Sequence, residues 1–171
     1  MIQLQDGERS FCYWRSDSAA RTLAADPVPL QAALDGADLA YFSGSTLAIL
    51  PPADRSRFLT VLRQFRSGGG IVVFDPNLRP KLWASPDEMT QAVMLAAAVS
   101  DIALPSYDDE AHWFGDGSPE ATLQRYAAAQ VWCCIVKNGS DRILAGDSGL
   151  RMICYPIQYV TMVDSTASGD C

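Results

Sequence analysis

The stretch LAYFSGSTLAILPPADRSRFLTVLRQFRSGGGIVVFD, residues 39–75, decides the fold class. It opens and closes with short apolar runs of strand length, and between them Phe58, Leu62 and Phe65 recur at helical spacing. The glycines at 68–70 supply left-handed backbone conformations for a helix end, and no Lys-Ser or Lys-Thr follows them as in a phosphate-binding loop. The order strand, helix, strand predicts a crossover unit with two parallel strands.

The same alternation of apolar runs and amphipathic stretches continues on both sides of this unit. Predicted strands span 11–14, 39–43, 71–75, 101–104, 131–137, 143–146 and 152–155. Predicted helices span 53–67, 85–99 and 119–129, and the second opens with Ser85 and Glu88 at capping-box spacing. We therefore expect one α/β domain over residues 1–171, with a mostly parallel central sheet flanked by helices.

Composition and charge argue against several classes of protein. Of the 171 residues, 49% are hydrophobic and 19% are charged, which favours a folded globular chain over a disordered one. The formal net charge of −7 argues against a nucleic acid or an anionic membrane as the main partner, because both select for clustered Lys and Arg. No apolar run approaches the length of a membrane span.

Histidine and cysteine usage narrows the chemistry further. His112 is the only histidine, which excludes zinc sites built on two or three imidazoles and leaves one candidate for a catalytic triad. The five cysteines are an odd number without a Cys-x-x-Cys pair, which is typical of a reducing compartment. We expect a cytoplasmic location.

Polar residues follow several predicted strands, at the edge of a parallel sheet where ligands bind. After the strand at 71–75, two prolines flank a segment that presents Asn77 and Arg79, and Arg79 can pair with a carboxylate or a phosphate. The alternative is structural, with Asp75 and Asn77 in turn hydrogen bonds and Trp83 packed against the protein.

Two further strand ends carry polar side chains. Tyr13 and Arg15 lie on one side of the first predicted strand, where a phenol and a guanidinium could bind a small polar ligand together. Lys137 and Gly139 mark the end of another strand, and an ordinary β-turn is the alternative there.

Two segments combine carboxylates with other small or polar residues. Residues 105–110 contain three consecutive acids that could hold Mg²⁺ through water, or could simply fill the first turn of a helix capped by Ser106. In 164–170, small residues could let backbone N–H groups converge on an anion, beside a carboxylate that accepts a proton from an attacking hydroxyl. A solvated turn is the alternative for this second segment.

In this order, the segments resemble the PfkB (ribokinase-like) carbohydrate kinases, and within them the 2-keto-3-deoxygluconate kinases. Residues 164–170, Asp-Ser-Thr-Ala-Ser-Gly-Asp, resemble the family's Asp-Thr-Thr-Gly-Ala-Gly-Asp signature, and 7–15, 47–50 and 75–83 favour the ketodeoxygluconate subgroup. The resemblance covers essentially the whole chain. It implies a ribokinase-like fold with the lid only partly present, in a chain truncated at both ends that lacks N-terminal strands and C-terminal helices.

The resemblance also implies a reaction. It is ATP-dependent transfer of the γ-phosphoryl group to the terminal hydroxyl of 2-keto-3-deoxygluconate, with ATP and Mg²⁺ as cofactors. Asp170 matches the catalytic base, and the backbone amides of Ala167, Ser168 and Gly169 match the anion hole that stabilises the transferring group. Residues that match substrate-binding positions are Tyr13, Arg15 and Arg79, and those that match nucleotide-side positions are Asn77, Lys137 and Gly139.

Some positions depart from the family pattern, and other functions stay open. Ser106 and Asp109 stand where many relatives have the Asn and Glu of a magnesium-associated motif, so the metal ligands are left unassigned. Arg142 stands where the nucleotide loop often has a second glycine. The alternatives are another sugar kinase of the family, acting on fructose, ribose or a nucleoside, and an inactive fragment that only binds ligand or partners. Homo-oligomers are compatible with each of these alternatives.

Overall fold

The computed structural model describes residues 18–139, 141–147 and 152–156, together with the backbone of 2–5 and 8–11. Strands β1 (Ile2–Gln5) and β2 (Glu8–Phe11) form an antiparallel pair. A six-stranded sheet contains β3 (Leu39–Ser43), β4 (Ile71–Asp75), β5 (Ile102–Ala103), β6 (Cys133–Asn138), β7 (Arg142–Asp147) and β8 (Met152–Pro156).

The strands of this larger sheet are neighbours in the order of the chain, from β3 to β8. Strands β3 to β6 pair in parallel, and β6, β7 and β8 then pair antiparallel. This confirms the predicted α/β fold with a mostly parallel sheet. Because β3, β4, β5 and β6 run in the same direction, their carboxyl ends lie at one edge, and the residues that follow them are brought together.

Helices join the parallel strands. They are α1 (Pro27–Leu34), α2 (Gly44–Ile49), α3 (Pro52–Ser67), α4 (Pro86–Ala97), α5 (Tyr107–Phe114) and α6 (Pro119–Ala128), with short 3-10 helices at Ala19–Thr22 and Pro80–Leu82. The three predicted helices correspond to α3, α4 and α6, with boundaries that agree within two residues. No helix in the described ranges is both long enough and apolar enough to cross a membrane.

The predicted helix ends have a clear local cause. Ser85 Oγ accepts a hydrogen bond from the backbone N–H of Glu88 at 3.1 Å, which caps the start of α4. The Glu88 carboxylate does not complete the capping box, because it pairs with Arg55 of α3 instead. After α3, Gly69 has φ of +99°, which confirms that the glycines at 68–70 end the helix.

Aromatic packing fixes the helices on one face of the sheet. Phe42 of β3 stacks on Phe74 of β4 with ring centroids 4.8 Å apart, and Phe58 of α3 meets Phe42 edge-on at 5.3 Å. Side chains of α4 continue this core, and those of α6 form a second cluster over β6 and β7. On the opposite face, Leu39 and Tyr41 are 51% and 56% exposed.

Other elements differ from the sequence-based prediction or lie partly outside the described ranges. Of the strand predicted at 11–14, Phe11 is the last residue of β2, and residues 12–14 lie outside the described ranges. Of the strand predicted at 101–104, only Ile102–Ala103 is a strand, because Asp101 and Leu104 belong to the connections on either side. Helix α1 was not predicted, since its first turn contains two prolines and it has no fully buried residue to create an apolar stripe.

Gly44 is expected to be intolerant of a side chain. It begins α2 against the backbone carbonyl of Pro76, and an added Cβ would overlap that oxygen. We expect Gly44→Ala to lower the free energy of unfolding by about 1–3 kcal/mol, because the backbones must separate. At Gly117 a Cβ would meet no atom within 4 Å, so Gly117→Ala is the matched control and should be nearly neutral. Urea denaturation measures both, and equal stabilities would contradict the close packing of α2 on Pro76.

Candidate active site

A buried ion pair lies where β4 and β6 end. Asp75, the last residue of β4, is 3% exposed, and its Oδ2 lies 3.2 Å from Nζ of Lys137 on β6. The other carboxylate oxygen, Oδ1, accepts a hydrogen bond from the backbone N–H of Asn77 at 3.1 Å. A carboxylate removed from water needs such partners, because burial otherwise disfavours its charge. The pair therefore holds the Lys137 ammonium and the chain after β4 at one point.

The loop 76–83 is anchored on both sides of an exposed arginine. Asn77 has φ of +36° and turns back onto Asp75, as the structural alternative for this segment predicted. The next residue, Leu78, is 3% exposed and packs in the core. Arg79 is exposed and its Nη1 donates to the Leu78 carbonyl at 3.0 Å. Its guanidinium thus lies at the carboxyl edge of the sheet with donors available for an anion.

Asp109 adds a second carboxylate to this edge. The backbone N–H of Lys137 donates to the Pro105 carbonyl at 2.8 Å, which places the start of α5 beside the end of β6. Burial raises the pKa of Asp109, while the positive charges of Arg79 and Lys137 act in the opposite direction. The site therefore combines two cations with two carboxylates at the carboxyl ends of β4, β5 and β6.

The three consecutive acids of α5 have separate environments. Asp108 is exposed, Asp109 is half-buried and Glu110 is completely buried. The described residues contain no group of three or more His, Cys, Asp or Glu side chains that could hold a metal ion. The three acids occupy the first turn of α5, as the helix alternative predicted, although the Ser106 side chain makes no capping hydrogen bond.

An ion network fixes α5 on α6 behind this edge. The Glu110 carboxylate lies 2.5 Å from Arg125 Nη2 and accepts a hydrogen bond from the Tyr126 hydroxyl at 3.1 Å. Arg125 also pairs with Asp116 at 2.6 Å and lies over the Phe114 ring, 3.8 Å from its centroid. Burial raises the pKa of Glu110 to about 7, although Arg125 and Tyr126 favour its charged form. The network holds the first turn of α5 in place.

The turn after Lys137 is the β-turn that the structural alternative predicted. Asp141 donates its backbone N–H to the Asn138 carbonyl at 3.0 Å, and the Asn138 side chain donates to the Asp141 carboxylate at the same distance. Gly139 has φ of +51°, a conformation that favours glycine. Arg142, which begins β7, pairs with Glu120 of α6 at 2.9 Å. The contacts between Asn138 and Asp141 therefore join the two ends of the turn beside the ion pair.

The structure brings part of the predicted set together. Asn77, Arg79, Lys137 and Gly139 all lie at the carboxyl edge of β4 and β6. Predicted residues outside the described ranges are Tyr13, Arg15, Ala167, Ser168, Gly169 and Asp170. Sequence reasoning gave Asp75 only a turn role and missed its pairing with Lys137, although both are polar residues at the ends of apolar runs.

Comparison with known proteins identifies the family. The family model described as "pfkB family carbohydrate kinase" matches residues 1–171. The chain belongs to the pfkB family. A 2-dehydro-3-deoxygluconokinase from Dickeya dadantii (strain 3937) is 41% identical over an alignment that covers 96% of this chain and 54% of that protein. The pfkB chain thus spans about half the length of this curated relative.

Solved structures agree with the family assignment. The PfkB protein from Polaromonas sp. JS666 superposes with a TM-score of 0.82 at 25% identity, over 99% of this chain and 54% of that one. Aminoimidazole riboside kinase from Salmonella enterica, complexed with aminoimidazole riboside and an ATP analogue, gives a TM-score of 0.66 at 27% identity, over 77% and 43% of the two chains. The ribokinase-like fold expected from the sequence is confirmed.

Glu110 is expected to give the stability of the pfkB chain a distinctive pH dependence. Its folded-state pKa of about 7 exceeds the ordinary value of 4.5, so the unfolded chain releases this proton first as pH rises. The difference in free energy of unfolding between wild type and Glu110→Gln should therefore decrease from about pH 4.5 to about pH 7. Denaturation at a series of pH values measures it.

Glu120→Gln is the matched control for this measurement. The pKa of Glu120 is lowered, because its own backbone N–H, Ser118 and Arg142 favour the charged form. Its contribution to stability should be lost as pH falls, which is the opposite direction. If the Glu110→Gln and wild-type curves run parallel between pH 4.5 and 7, the carboxyl group does not titrate in that range.

Proposed function

We propose that this chain takes part in ATP-dependent phosphorylation of the terminal hydroxyl of 2-keto-3-deoxygluconate. The observation that carries the proposal is the joint position of Asn77, Arg79 and Lys137 at the carboxyl edge of the sheet. Two cations at one edge suit a reaction between anionic partners, a nucleoside triphosphate and a sugar acid. The relative named 2-dehydro-3-deoxygluconokinase supports the choice of sugar acid.

Each predicted residue receives a role in this proposal. Asn77, Lys137 and Gly139 face the nucleotide, and Lys137, whose ammonium has three N–H donors, can donate to a phosphate oxygen while it keeps its contact with Asp75. Arg79 stabilises negative charge close to the substrate and the phosphates, because its planar guanidinium can pair with two oxygens at once. Phosphoryl transfer depends mainly on such positioning and electrostatic stabilisation.

The remaining roles fall on residues outside the described ranges. Tyr13 and Arg15 bind the substrate, and Arg15 pairs with the carboxylate that distinguishes a sugar acid from a neutral sugar. Asp170 accepts the proton of the attacking hydroxyl. The anion hole is formed by the backbone amides of Ala167, Ser168 and Gly169.

Mg²⁺ accompanies ATP in this proposal, and the described residues fit it in a limited way. Asp109 offers one carboxylate at the right edge, beside Arg79 and Lys137. A single carboxylate is compatible with Mg²⁺, which keeps several waters and binds phosphate oxygens in nucleotide sites. When bound, the ion neutralises charge on the phosphates. Asp109 is the described residue that we assign to its hydration shell.

The test of the reaction is ADP release from Mg²⁺-ATP in the presence of 2-keto-3-deoxygluconate, fructose or ribose. It should be made on the 171-residue chain and on the longest reading frame that contains it. We expect sugar-stimulated turnover to be highest with 2-keto-3-deoxygluconate in the longer form. Preference for fructose or ribose would favour the second candidate, a kinase of a neutral acceptor like the aminoimidazole riboside kinase described above. Absence of stimulation by any sugar in a folded protein would contradict both.

Asp170→Asn tests the proposed base. The amide cannot accept the proton, so turnover should fall by roughly 10²-fold or more, in the range typical of a general base, while ATP affinity changes little. Asp35→Asn is the control, because Asp35 is exposed at the end of α1 and precedes β3 at the opposite edge of the sheet. Turnover and ATP titration by calorimetry measure the two quantities. Near-normal turnover of Asp170→Asn would remove Asp170 from the mechanism.

A further inference from the structure

Arg55 of α3 joins three elements that surround the loop 76–83. Its side chain is 13% exposed, and each of its three guanidinium nitrogens has a different acceptor. Nε donates to the Leu47 carbonyl at 3.0 Å and Nη2 to the Leu50 carbonyl at 3.3 Å, so both satisfy the end of α2. Nη1 donates to Glu88 in the first turn of α4 at 2.9 Å.

The same guanidinium also contacts the end of the loop. Its central carbon lies 4.6 Å from the centroid of the Trp83 ring, which is within range of a cation–π interaction. Trp83 is the last residue of the loop 76–83. At the other end of the loop, Pro76 packs against Gly44, the first residue of α2. Helix α2 and the loop are therefore joined directly at Gly44 and indirectly through Arg55.

We propose that Arg55 is a positioning residue that sets the location of Arg79. The inference rests on the proposed function, because it assigns Arg55 to the site through the loop that carries Arg79. The start of the loop is fixed by Asp75 and by the buried Leu78, and its end is fixed by Arg55 through Trp83. Arg79 lies between the two fixed points, with an exposed side chain that needs a rigid backbone to meet its anion reproducibly.

Only arginine can make this arrangement. The planar Arg55 guanidinium, with its donors in a fixed fork, contacts two carbonyls, one carboxylate and one aromatic ring at once. A lysine would keep the positive charge near Glu88 and Trp83, but a single ammonium cannot reach the three acceptors in the same geometry. Arg55→Lys therefore removes the hydrogen-bond geometry of the guanidinium but keeps its positive charge. Glu88→Gln weakens only the ion pair between Arg55 and Glu88.

The first experiment measures the loop without relying on activity. Trypsin cleaves after Lys81 when the loop opens, whereas the bond after Arg79 is protected by Pro80. We expect the 171-residue chain to be cleaved between Lys81 and Leu82 at least about fivefold faster in Arg55→Lys and Arg55→Met than in wild type. Cleavage after Arg125, beside the buried Tyr126, reports global unfolding and is used to normalise the rates.

Arg57→Met is the matched control for the trypsin experiment. Arg57 lies on the same helix, but it bonds to the Ala24 carbonyl and to Asp54, away from the loop. Its cleavage rate at Lys81 should equal that of wild type. If Arg55→Met does not fold, Arg55→Lys and Glu88→Gln still give the comparison. Unchanged cleavage at Lys81 in the folded Arg55 variants would overturn the proposal.

The second experiment asks whether Arg55 acts through Arg79. A double-mutant cycle of Arg55→Lys and Arg79→Met is measured as KM for 2-keto-3-deoxygluconate in the longer form. We expect Arg55→Lys to raise KM about tenfold alone and less than about twofold when Arg79 is already absent. Independent, multiplicative effects would overturn the positioning role. If wild type shows no sugar-stimulated turnover, the proposed function fails, and the trypsin rates alone decide whether Arg55 holds the loop.

Discussion

The burial of one carboxylate at the end of β4 determines how the site is built. Asp75 is almost fully enclosed, and a charge in that position must be compensated by groups that come to it. Lys137 does so from β6, across the very short β5, and the backbone amide of Asn77 does so from the start of the following loop. The positions of Asn77 and Lys137, two proposed nucleotide-side residues, thus follow from the need to compensate the buried charge of Asp75.

The elements that the sequence predicted well are those with local causes. Strands at 39–43 and 71–75 have the predicted boundaries, because each is a short apolar run that ends in a polar residue. Helices α3, α4 and α6 were predicted because their start and stop signals lie within a few residues of their ends. Helix α1 has a start signal in Asp26 and Pro27 but no buried residue, and the short α2 has no side-chain cap, so their positions depend on packing against α3 and on the contact of Gly44 with Pro76.

From the sequence, the site could be predicted only as separate polar residues at the ends of strands. The sequence identifies Asn77, Arg79 and Lys137 as candidate site residues because each closely follows or ends an apolar run. Their arrangement depends on strand order, which places β4 and β6 on either side of β5 and which no local pattern contains. The acids of α5 show the same limit, since the inward turn of Glu110 depends on Arg125, fifteen residues later on another helix.

The reversal of direction after β6 gives the two edges of the sheet different freedom to change in evolution. Connections that leave β3, β4, β5 and β6 all begin at the carboxyl edge of the sheet, which carries the proposed site, including the turn at 138–141 that returns the chain into β7. Connections at 35–38, 68–70 and 98–101 lie at the far edge, where they close helices and enter strands. If the proposed site is correct, substitutions at the far edge are expected to act on stability rather than on binding, because these connections lie away from the proposed site residues.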